Sequence, residues 1–335
     1  MTISLRFASA RWRVGLCVLF FASFGGIVAM AQCLQQVHVA PVIASSYSSE
    51  KPSSPLRLGN RPMRKDVNLV LVPTTVIDSF NRPVKSLRIH DFIVYDGDEP
   101  QVIKYFNEED APISIGILLD TSGSMKKKYE LARQAVTQLF ANANSEDDYF
   151  VITFSEQPEL LADTTKSIET IEAELANVQP SGGTPLLDAI YLGLDKLKDA
   201  RYQRRALVII SDGGDNSSRY RTREIRALAQ ESDVQIYAMG IFSPLTISIE
   251  DHLGKKLLTE ITDATGGRAV FLSSAARLPE VSAEFSRELR NQYVLGYQPS
   301  HLQADGKLHK IKVKLATRLA QPLNLYYKRE YVASK

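Results

Sequence analysis

The sequence has 335 residues, of which 44% are hydrophobic and 23% are charged. This length allows two domains of ordinary size, and the composition is that of a folded globular protein, not of a collagen-like or disordered chain. The formal net charge is only +2 and the basic residues are scattered, so no nucleic-acid partner is expected, because binding phosphates needs a concentrated basic surface.

The first 31 residues have the pattern of an export signal. Three arginines precede the weakly polar run from 14 to 31, which ends in Ala29-Met30-Ala31. This pattern predicts a signal peptide that is cleaved after Ala31, and therefore a secreted, periplasmic or cell-surface protein of bacterial type. The run is also close to the minimum length for crossing a bilayer, so an uncleaved membrane anchor is the alternative. A membrane is expected as a partner only in that second case.

Removal of this segment takes away three arginines and no acidic residue, which leaves 37 basic and 38 acidic residues and a net charge of −1. It also removes Cys17, so Cys33 is the one cysteine left and no intramolecular disulfide is expected. Residues 32–65 are rich in serine and proline and have no helical or strand periodicity. They predict a flexible linker.

Two β-rich segments flank the middle of the chain. Residues 66–109 and 291–333 contain β-branched and aromatic runs that are joined by turn residues such as Asp96-Gly97. Because an isolated hairpin is only marginally stable, we expect the two segments to pair into one discontinuous β-sandwich-like domain. Two independent β appendages are the alternative.

Strands alternate with amphipathic helices between these segments, over residues 111–290. The predicted strands are "ISIGILL", "YFVITF", "ALVIISD", "VQIYAMGIF" and "RAVFL", and the last helix is expected near 277–290. Such alternation predicts an α/β fold, with a doubly wound, mostly parallel sheet between two layers of helices. We expect this domain to be inserted into the β-sandwich-like domain, since adjacent termini make insertion feasible.

Polar residues follow the predicted strands at the edge where ligands bind in open α/β sheets. The first strand is followed by "DTSGSM", which contributes Asp120, Ser122 and Ser124, and the strand "ALVIISD" ends at Asp212. The loop "SGGTP" carries Thr184 to the same edge. We therefore expect two carboxylates and three hydroxyls to meet in one crevice.

These candidate ligands are all oxygen atoms, which suit Mg²⁺, with Mn²⁺ and Ca²⁺ as alternatives, and do not suit Zn²⁺. The five histidines have no metal-ligand spacing. Two buried carboxylates that face each other would raise each other's pKa, and a bound cation would relieve that repulsion. Ser122 and Ser124 could instead cap the following helix, and Asp188 and Asp215 are predicted to cap helices or support loops and not to bind the ion.

The three segments "LLDTSGSM", "SGGTPLLDAI" and "VIISDGGDNSS" resemble the von Willebrand factor A domain with its metal-ion-dependent adhesion site, over about residues 111–290. The flanking strands are similar to those of a secreted bacterial variety of this family. The resemblance implies that Ser122, Ser124 and Thr184 bind the ion through their hydroxyls. For Thr184 it implies this contact in the ligand-competent state. It implies that Asp120 and Asp212 act mainly through water and by orienting the serines.

The same resemblance implies a non-enzymatic adhesion or assembly module, in which an Asp or Glu carboxylate of a protein partner completes the coordination of the ion. The competing hypothesis is a phosphohydrolase of the aspartyl-phosphate type, which also places an aspartate at the end of its first strand. Such enzymes need a second acid two residues later, where this chain has Ser122. Nucleotide binding would need a phosphate-binding glycine loop with its lysine, and "DTSGSMKK" lacks that spacing.

Overall fold

Three β-sheets and six α-helices make up the part of the chain that this computed structural model describes. The described residues are 69–212, 214–242, 249–300, 307–316 and 322–333. The predicted signal peptide and linker lie outside them. None of the helices within the described ranges is long and apolar enough to cross a membrane.

The strands fall into three groups along the chain. In chain order they are β1 (Val70–Ile77), β2 (Phe92–Asp96), β3 (Glu99–Gln101), β4 (Ile103–Glu109), β5 (Ser114–Asp120), β6 (Asp148–Phe154), β7 (Pro158–Thr165), β8 (Arg205–Ser211), β9 (Val234–Ile241), β10 (Ala269–Leu272), β11 (Gln292–Tyr297), β12 (Leu308–Leu315), β13 (Asn324–Tyr327) and β14 (Glu330–Val332).

The helices all lie between β5 and β11. They are α1 (Tyr129–Leu139), α2 (Ile168–Leu175), α3 (Leu186–Lys198), α4 (Thr222–Glu231), α5 (Ile249–Thr265) and α6 (Leu278–Arg290), with short 3-10 turns at Ile89–Asp91, Gly123–Lys127, Phe140–Asn142 and Ala275–Arg277.

The central sheet has six strands in the order β10-β9-β8-β5-β6-β7. The first five of these are parallel, and β7 pairs antiparallel with β6 at one edge. Strands β5, β6 and β9 are buried along their whole length, because helices cover both faces. The predicted fold class, a doubly wound α/β sheet, is confirmed.

Each face of this sheet has its own apolar core. Residues of α1, α2 and α6 pack on one face around Val136, Leu175 and Phe285. Residues of α3, α4 and α5 pack on the other face around Ile190 and Leu258. Apolar residues at helical spacing predict α1 and α3. The same spacing gives each helix one apolar face, which packs on the sheet.

Two further sheets form a sandwich from the two ends of the described chain. The first sandwich sheet has the order β13-β1-β11-β4, and the second has the order β14-β12-β2-β3. Strand β1 pairs antiparallel with β11 over Val70↔Tyr297 to Thr75↔Gln292. A separate core that includes Val72, Phe92 and Leu295 lies between the two sheets.

The α/β domain is inserted between two neighbouring strands of the first sandwich sheet. Strand β4 leads into the domain and β11 follows it, and the two pair antiparallel with Glu109 opposite Gln292. The Arg204 guanidinium donates to the backbone carbonyls of Ala111, just after β4, and Leu289, just before β11. One side chain therefore holds the entry and the exit of the domain together.

Two local predictions are wrong. Strand β7 was not predicted, because Ala162 is its one buried residue and its other side chains are partly or fully exposed. From the sequence alone, the cluster Lys126-Lys127-Lys128 is expected to be a solvated first helical turn. Lys126 and Lys127 are indeed exposed, but they belong to a 3-10 turn, and Lys128 is partly buried in an ion pair that is described below.

Candidate metal centre

The candidate site lies where the order of the central sheet changes direction. Strand β5 has β6 on one side and β8 on the other. Asp120 is the last residue of β5, and Asp212 follows directly after β8. Because parallel strands end at the same edge, both carboxylates lie at the carboxyl edge of the sheet, at its topological switch point.

The Asp120 carboxylate is fully buried and both of its oxygens accept hydrogen bonds. Oδ1 accepts from the backbone N–H of Ser122 at 2.9 Å, and Oδ2 accepts from the Ser211 hydroxyl at 2.5 Å. Burial raises the pKa of Asp120, the hydrogen bonds from Ser122 and Ser211 oppose that rise, and the nearby charge of Asp212 adds to it. The carboxylate thus fixes the start of the "DTSGSM" loop.

A chain of hydrogen bonds leads from this loop to Asp212. The hydroxyl oxygens of Ser122 and Ser124 lie 3.0 Å apart, and Ser124 donates to Asp212 Oδ1 at 2.8 Å. Together with the bond from Ser122 N to Asp120, this network joins four of the five predicted site residues. The two serines do not cap a helix through their side chains; Ser122 is the N-cap of the 3-10 turn but makes no side-chain cap hydrogen bond.

A lysine ammonium neutralises the second carboxylate. Lys128 Nζ donates to Asp212 Oδ2, and the Asp212 side chain has no exposed area whereas that of Lys128 is 34% exposed. A positive charge therefore lies on the carboxylate that the sequence assigns to a metal site. The buried negative charge of Asp212 is therefore compensated by a cation of the chain itself.

Thr184, the fifth predicted residue, is positioned by backbone contacts of its own loop. Ser181 N donates to Thr121 O at 2.8 Å, and Gly123 N donates to Gly182 O at 3.2 Å. Gly182 has φ +77°, a conformation that favours glycine. The backbone N–H of Thr184 donates to Asn216 Oδ1 at 2.8 Å, so Thr184 lies between the Asp120 loop and the Asp212 loop.

Asp188 and Asp215 support loops, as the sequence predicts. Asp188 Oδ1 accepts from the backbone N–H groups of Arg219 and Tyr220 at 2.9 and 3.1 Å. Asp215 Oδ1 accepts from the backbone N–H of Leu187, in the first turn of α3, at 3.2 Å. Both carboxylates fix the loop after Asp212 against α3, and so they hold the wall of the site.

The donor set fits a small, hard divalent ion. It contains two carboxylates and three hydroxyls and has no thiolate or imidazole, which favours Mg²⁺ over Zn²⁺. Across the described residues no three or more His, Cys, Asp or Glu side chains form a metal-binding group. A metal centre at this edge would therefore depend on hydroxyl ligands as much as on carboxylates.

Three residues with a part in this geometry were missed in the sequence. Ser211 donates to Asp120, Asn216 holds the Thr184 backbone, and Lys128 pairs with Asp212. Ser211 and Asn216 could have been suspected, since both lie next to predicted site segments. Lys128 is 84 residues from Asp212, and no local pattern links the two.

Comparison with known proteins gives one family match over part of the chain and several distant relatives. Residues 115–214 match the family model described as von Willebrand factor type A domain. The chain is 27% identical over 206 residues to the magnesium-chelatase 67 kDa subunit of Chlorobaculum tepidum, covering 57% of this chain and 33% of that protein. It is 26% identical over 181 residues to an uncharacterized protein of Borreliella burgdorferi, covering 47% of this chain and 53% of that protein. The chain thus spans between a third and about half the length of these relatives.

Solved structures with a similar fold are more distant in sequence. A von Willebrand factor type A protein from Catenulispora acidiphila is 12% identical with a TM-score of 0.47, covering 75% of this chain and 74% of that one. The protein BatB from Bacteroides thetaiotaomicron is 20% identical with a TM-score of 0.43, covering 52% of this chain and 98% of that one.

Proposed function

We propose, from the premise that residues 115–214 form a von Willebrand factor type A domain, that this chain is an exported protein-binding module that holds its partner through a divalent metal ion. Domains of this family commonly mediate protein–protein interactions. The finer proposal concerns the metal, the partner's chemistry and the location of the protein.

The observation that carries the proposal is the hydrogen-bonded network of Asp120, Ser122, Ser124 and Asp212 at the switch point of the sheet. It collects oxygen ligands and a buried negative charge at the edge where α/β folds bind ligands. Lys128 supplies a balancing cation at Asp212. A divalent ion would attract the Asp212 carboxylate more strongly than the Lys128 ammonium does, because it carries twice the charge.

The hydroxyls of Ser122, Ser124 and Thr184 would hold the ion directly. Asp120 would keep the loop in place through the Ser122 N–H and the Ser211 hydroxyl, and Asp212 would orient Ser124. When bound, the ion would supply a Lewis-acidic position for a carboxylate of an Asp or Glu side chain on a protein partner. Because few charged oxygens of this chain would contact it, the ion would stay strongly attractive to that carboxylate.

The environment of Asp120 supports binding over catalysis. An aspartyl-phosphate enzyme attacks phosphorus with a free carboxylate oxygen. Both Asp120 oxygens accept hydrogen bonds, and the residue is fully buried. We therefore propose that the chain is not a phosphohydrolase. Release of phosphate from p-nitrophenyl phosphate with Mg²⁺, lost in Asp120→Asn, would contradict this part of the proposal.

Metal binding is tested first, by titrating Mg²⁺ into the purified chain in a calorimeter. Wild type should bind one ion, and Asp120→Ala should bind at least ten-fold more weakly, because loss of an orienting partner costs 10–100-fold in metal affinity. Asp163→Ala is the matched control, since Asp163 is an exposed carboxylate on β7 that pairs with Lys196. Equal binding by all three proteins would overturn the metal site.

Partner chemistry is tested with immobilised peptides that carry a single Asp or Glu, each matched by the Asn or Gln peptide. We expect retention of the chain by the acidic peptides in Mg²⁺, and loss of retention in EDTA or with Asp120→Ala. Retention that is the same for acidic and amide peptides, or unaffected by EDTA, would show that the metal does not hold the partner.

Export is the remaining part of the proposal, and it depends on residues 1–31. Expression of the full chain in a bacterium should yield an envelope or culture-medium protein whose mass and N-terminal sequence fit cleavage after Ala31. A membrane-associated protein of full-length mass would favour the uncleaved anchor. A cytoplasmic protein of full-length mass would contradict export.

A further inference from the structure

A second recess lies at the opposite end of the central sheet from the candidate metal centre. It has a volume of about 830 Å³ and lies between the amino ends of β8 and β9 and the first sandwich sheet. We name it the amino-edge cleft. Its apolar wall is formed by Leu69, Leu71, Pro73, Tyr105 and Val294. This size and this kind of lining are typical of small-molecule sites.

The apolar wall is unusual for the outer face of a sandwich sheet, which is normally polar because alternate residues of a strand point to opposite faces. In β1, Val72 is buried in the sandwich core, whereas the adjacent Leu71 is 52% exposed. Leu71, Gly296 and Tyr105 lie side by side on β1, β11 and β4. Tyr105 is 39% exposed, so large apolar side chains line the cleft without being covered.

Gly296 allows these side chains to pack closely against the middle strand. A Cβ atom at this position would fall 2.7 Å from Tyr105 Cβ and 3.1 Å from the side chains of both Leu69 and Leu71. No real Cβ tolerates a contact as short as the first. A glycine at this row therefore lets Leu69, Leu71 and Tyr105 pack directly over the β11 backbone, where they form the apolar wall.

One buried polar group at the cleft lacks a partner. Gln235, the second residue of β9, is 8% exposed and lines the cleft. Its Oε1 accepts from Gln292 Nε2 at 2.8 Å, which fixes the orientation of the amide. Among the described residues its Nε2 is the buried side-chain nitrogen or oxygen without a hydrogen-bond partner. A buried N–H donor without an acceptor costs folding free energy, because it has lost its hydrogen bonds to water. A ligand that provides an acceptor would remove this cost.

The charged residues around the cleft favour an anion. Three cations line it (Arg204, Arg205 and Lys328), against two carboxylates (Glu231 and Asp233). Lys328 Nζ lies 3.4 Å from Asp233. Arg205 donates from Nε to the backbone carbonyl of Tyr202 at 3.2 Å, and no carboxylate of the described residues forms an ion pair with it. Gln235 therefore offers a donor beside the apolar wall, and Arg205 adds a positive charge to the lining from the other face of the sheet.

We infer that the amino-edge cleft binds an amphipathic carboxylic acid. The hydrocarbon body lies on Leu71, Tyr105 and Val294, and the carboxylate accepts from Gln235 Nε2. This site is at the other edge of the sheet from Asp120 and Asp212, so the inference does not depend on the metal-dependent function.

The probe is decanoate, titrated into the full chain in a calorimeter below its micelle-forming concentration. Decyltrimethylammonium, which has the same tail and a cationic head, is the head-group control. We expect saturable binding of one decanoate and at least ten-fold weaker binding of the cation. Leu71→Asp should weaken decanoate binding at least ten-fold, whereas Leu160→Asp should not, because Leu160 is 41% exposed on β7 and lies outside the cleft.

Gln235→Leu, which removes the unpartnered N–H, should reduce the preference for decanoate over the cation at least five-fold. Circular dichroism verifies that each variant is folded, and Leu71→Ala, a milder change of an exposed residue, should still weaken binding if Leu71→Asp does not fold. Absence of saturable decanoate binding, or equal affinity for both head groups, would overturn the inference. Unchanged decanoate affinity in EDTA is expected, and a loss in EDTA would contradict the separation of the two sites.

Discussion

The two edges of the central sheet handle polar groups in opposite ways. At the carboxyl edge, Asp120, Ser122, Ser124 and Asp212 hydrogen-bond to one another, and Lys128 balances the charge. At the amino edge, Arg268 is buried with two carboxylates, while Gln235 keeps an unpartnered N–H beside an apolar wall. The carboxyl edge consists of loops whose polar groups hydrogen-bond to one another. The amino edge contains a buried ion cluster and a cleft lined by strands.

This difference separates two roles. The buried charges at the amino edge contribute mainly to folding, and the loops at the carboxyl edge contribute mainly to ligand binding. Loops after parallel strands can rearrange around a ligand with little effect on the core. The amino edge joins the sheet to the sandwich, so its buried charges hold two cores together. Substitutions at the amino edge should therefore change stability most, and substitutions at the carboxyl edge should change metal affinity.

The largest effect is expected for Glu288→Gln. Glu288 is fully buried and accepts from Arg268 Nε at 3.0 Å, and the Arg268 guanidinium also lies 5.9 Å from the Tyr326 ring of β13. Removing one charge of a buried pair is strongly destabilising, so the free energy of unfolding should fall by about 3 kcal/mol in urea denaturation. Glu280→Gln, which breaks an exposed pair on the same helix, should stay within about 0.5 kcal/mol. Equal effects of the two variants would contradict the special role of the amino edge.

Asp212→Ala should have the next largest effect, on metal affinity. It removes the acceptor of Ser124 and the partner of Lys128 and leaves an unbalanced cation at the site. We expect Mg²⁺ affinity, measured by calorimetry, to fall about 100-fold. Asp195→Ala is the control, because Asp195 is an exposed carboxylate on α3. A variant that binds Mg²⁺ like wild type would remove Asp212 from the site.

Lys128→Met should act in the opposite direction and more weakly. The ammonium competes with a metal for Asp212 and repels it, so Mg²⁺ affinity should rise about ten-fold, or ~1.4 kcal/mol. Lys127→Met tests a neighbouring lysine that is exposed, and it should leave the affinity unchanged. A fall in Mg²⁺ affinity in Lys128→Met would show that the lysine supports the site and does not compete with the ion.

The smallest effect is expected for Ser286→Ala, a substitution between the two edges, where α6 packs on α1. The Ser286 hydroxyl is buried and donates to the backbone carbonyl of Leu139 at 2.7 Å. Ser286→Ala should lower the free energy of unfolding by about 1 kcal/mol and leave both ligand affinities unchanged. Thr259→Ala is the control, because it removes an exposed hydroxyl that donates to the Lys255 carbonyl of the same helix. We expect almost no change in its thermal unfolding. A change of Mg²⁺ affinity in Ser286→Ala would couple α6 to the metal edge.

The parts of the fold that could be predicted are those with a strong local pattern. Apolar runs that are buried on both faces, such as β5 and β9, mark a parallel sheet, and the spacing of Ala132, Val136 and Leu139 marks α1. Strand β7 could not be recognised, because an edge strand that packs on one side needs few apolar residues. Its sequence is as polar as a loop.

The residues of the candidate site that could be predicted are those that lie at the ends of strands. Asp120 and Asp212 each follow an apolar run, so the direction of the strands brings them to one edge. The partners of Lys128 and Gln235 are 84 and 57 residues away in the chain, and such pairs depend on how whole elements pack. That Mg²⁺ binds at these five residues stays a prediction until it is measured.

The Arg204 guanidinium, which joins the carbonyls before and after the inserted domain, has a mechanical consequence. A force that pulls on the two ends of the described chain acts on β1 and β14 of the sandwich. The β4–β11 rungs and Arg204 close the base of the insertion, so tension bypasses the α/β domain until the sandwich strands separate. A tethered protein with this topology would keep its α/β domain undistorted under load while the sandwich resists the pull.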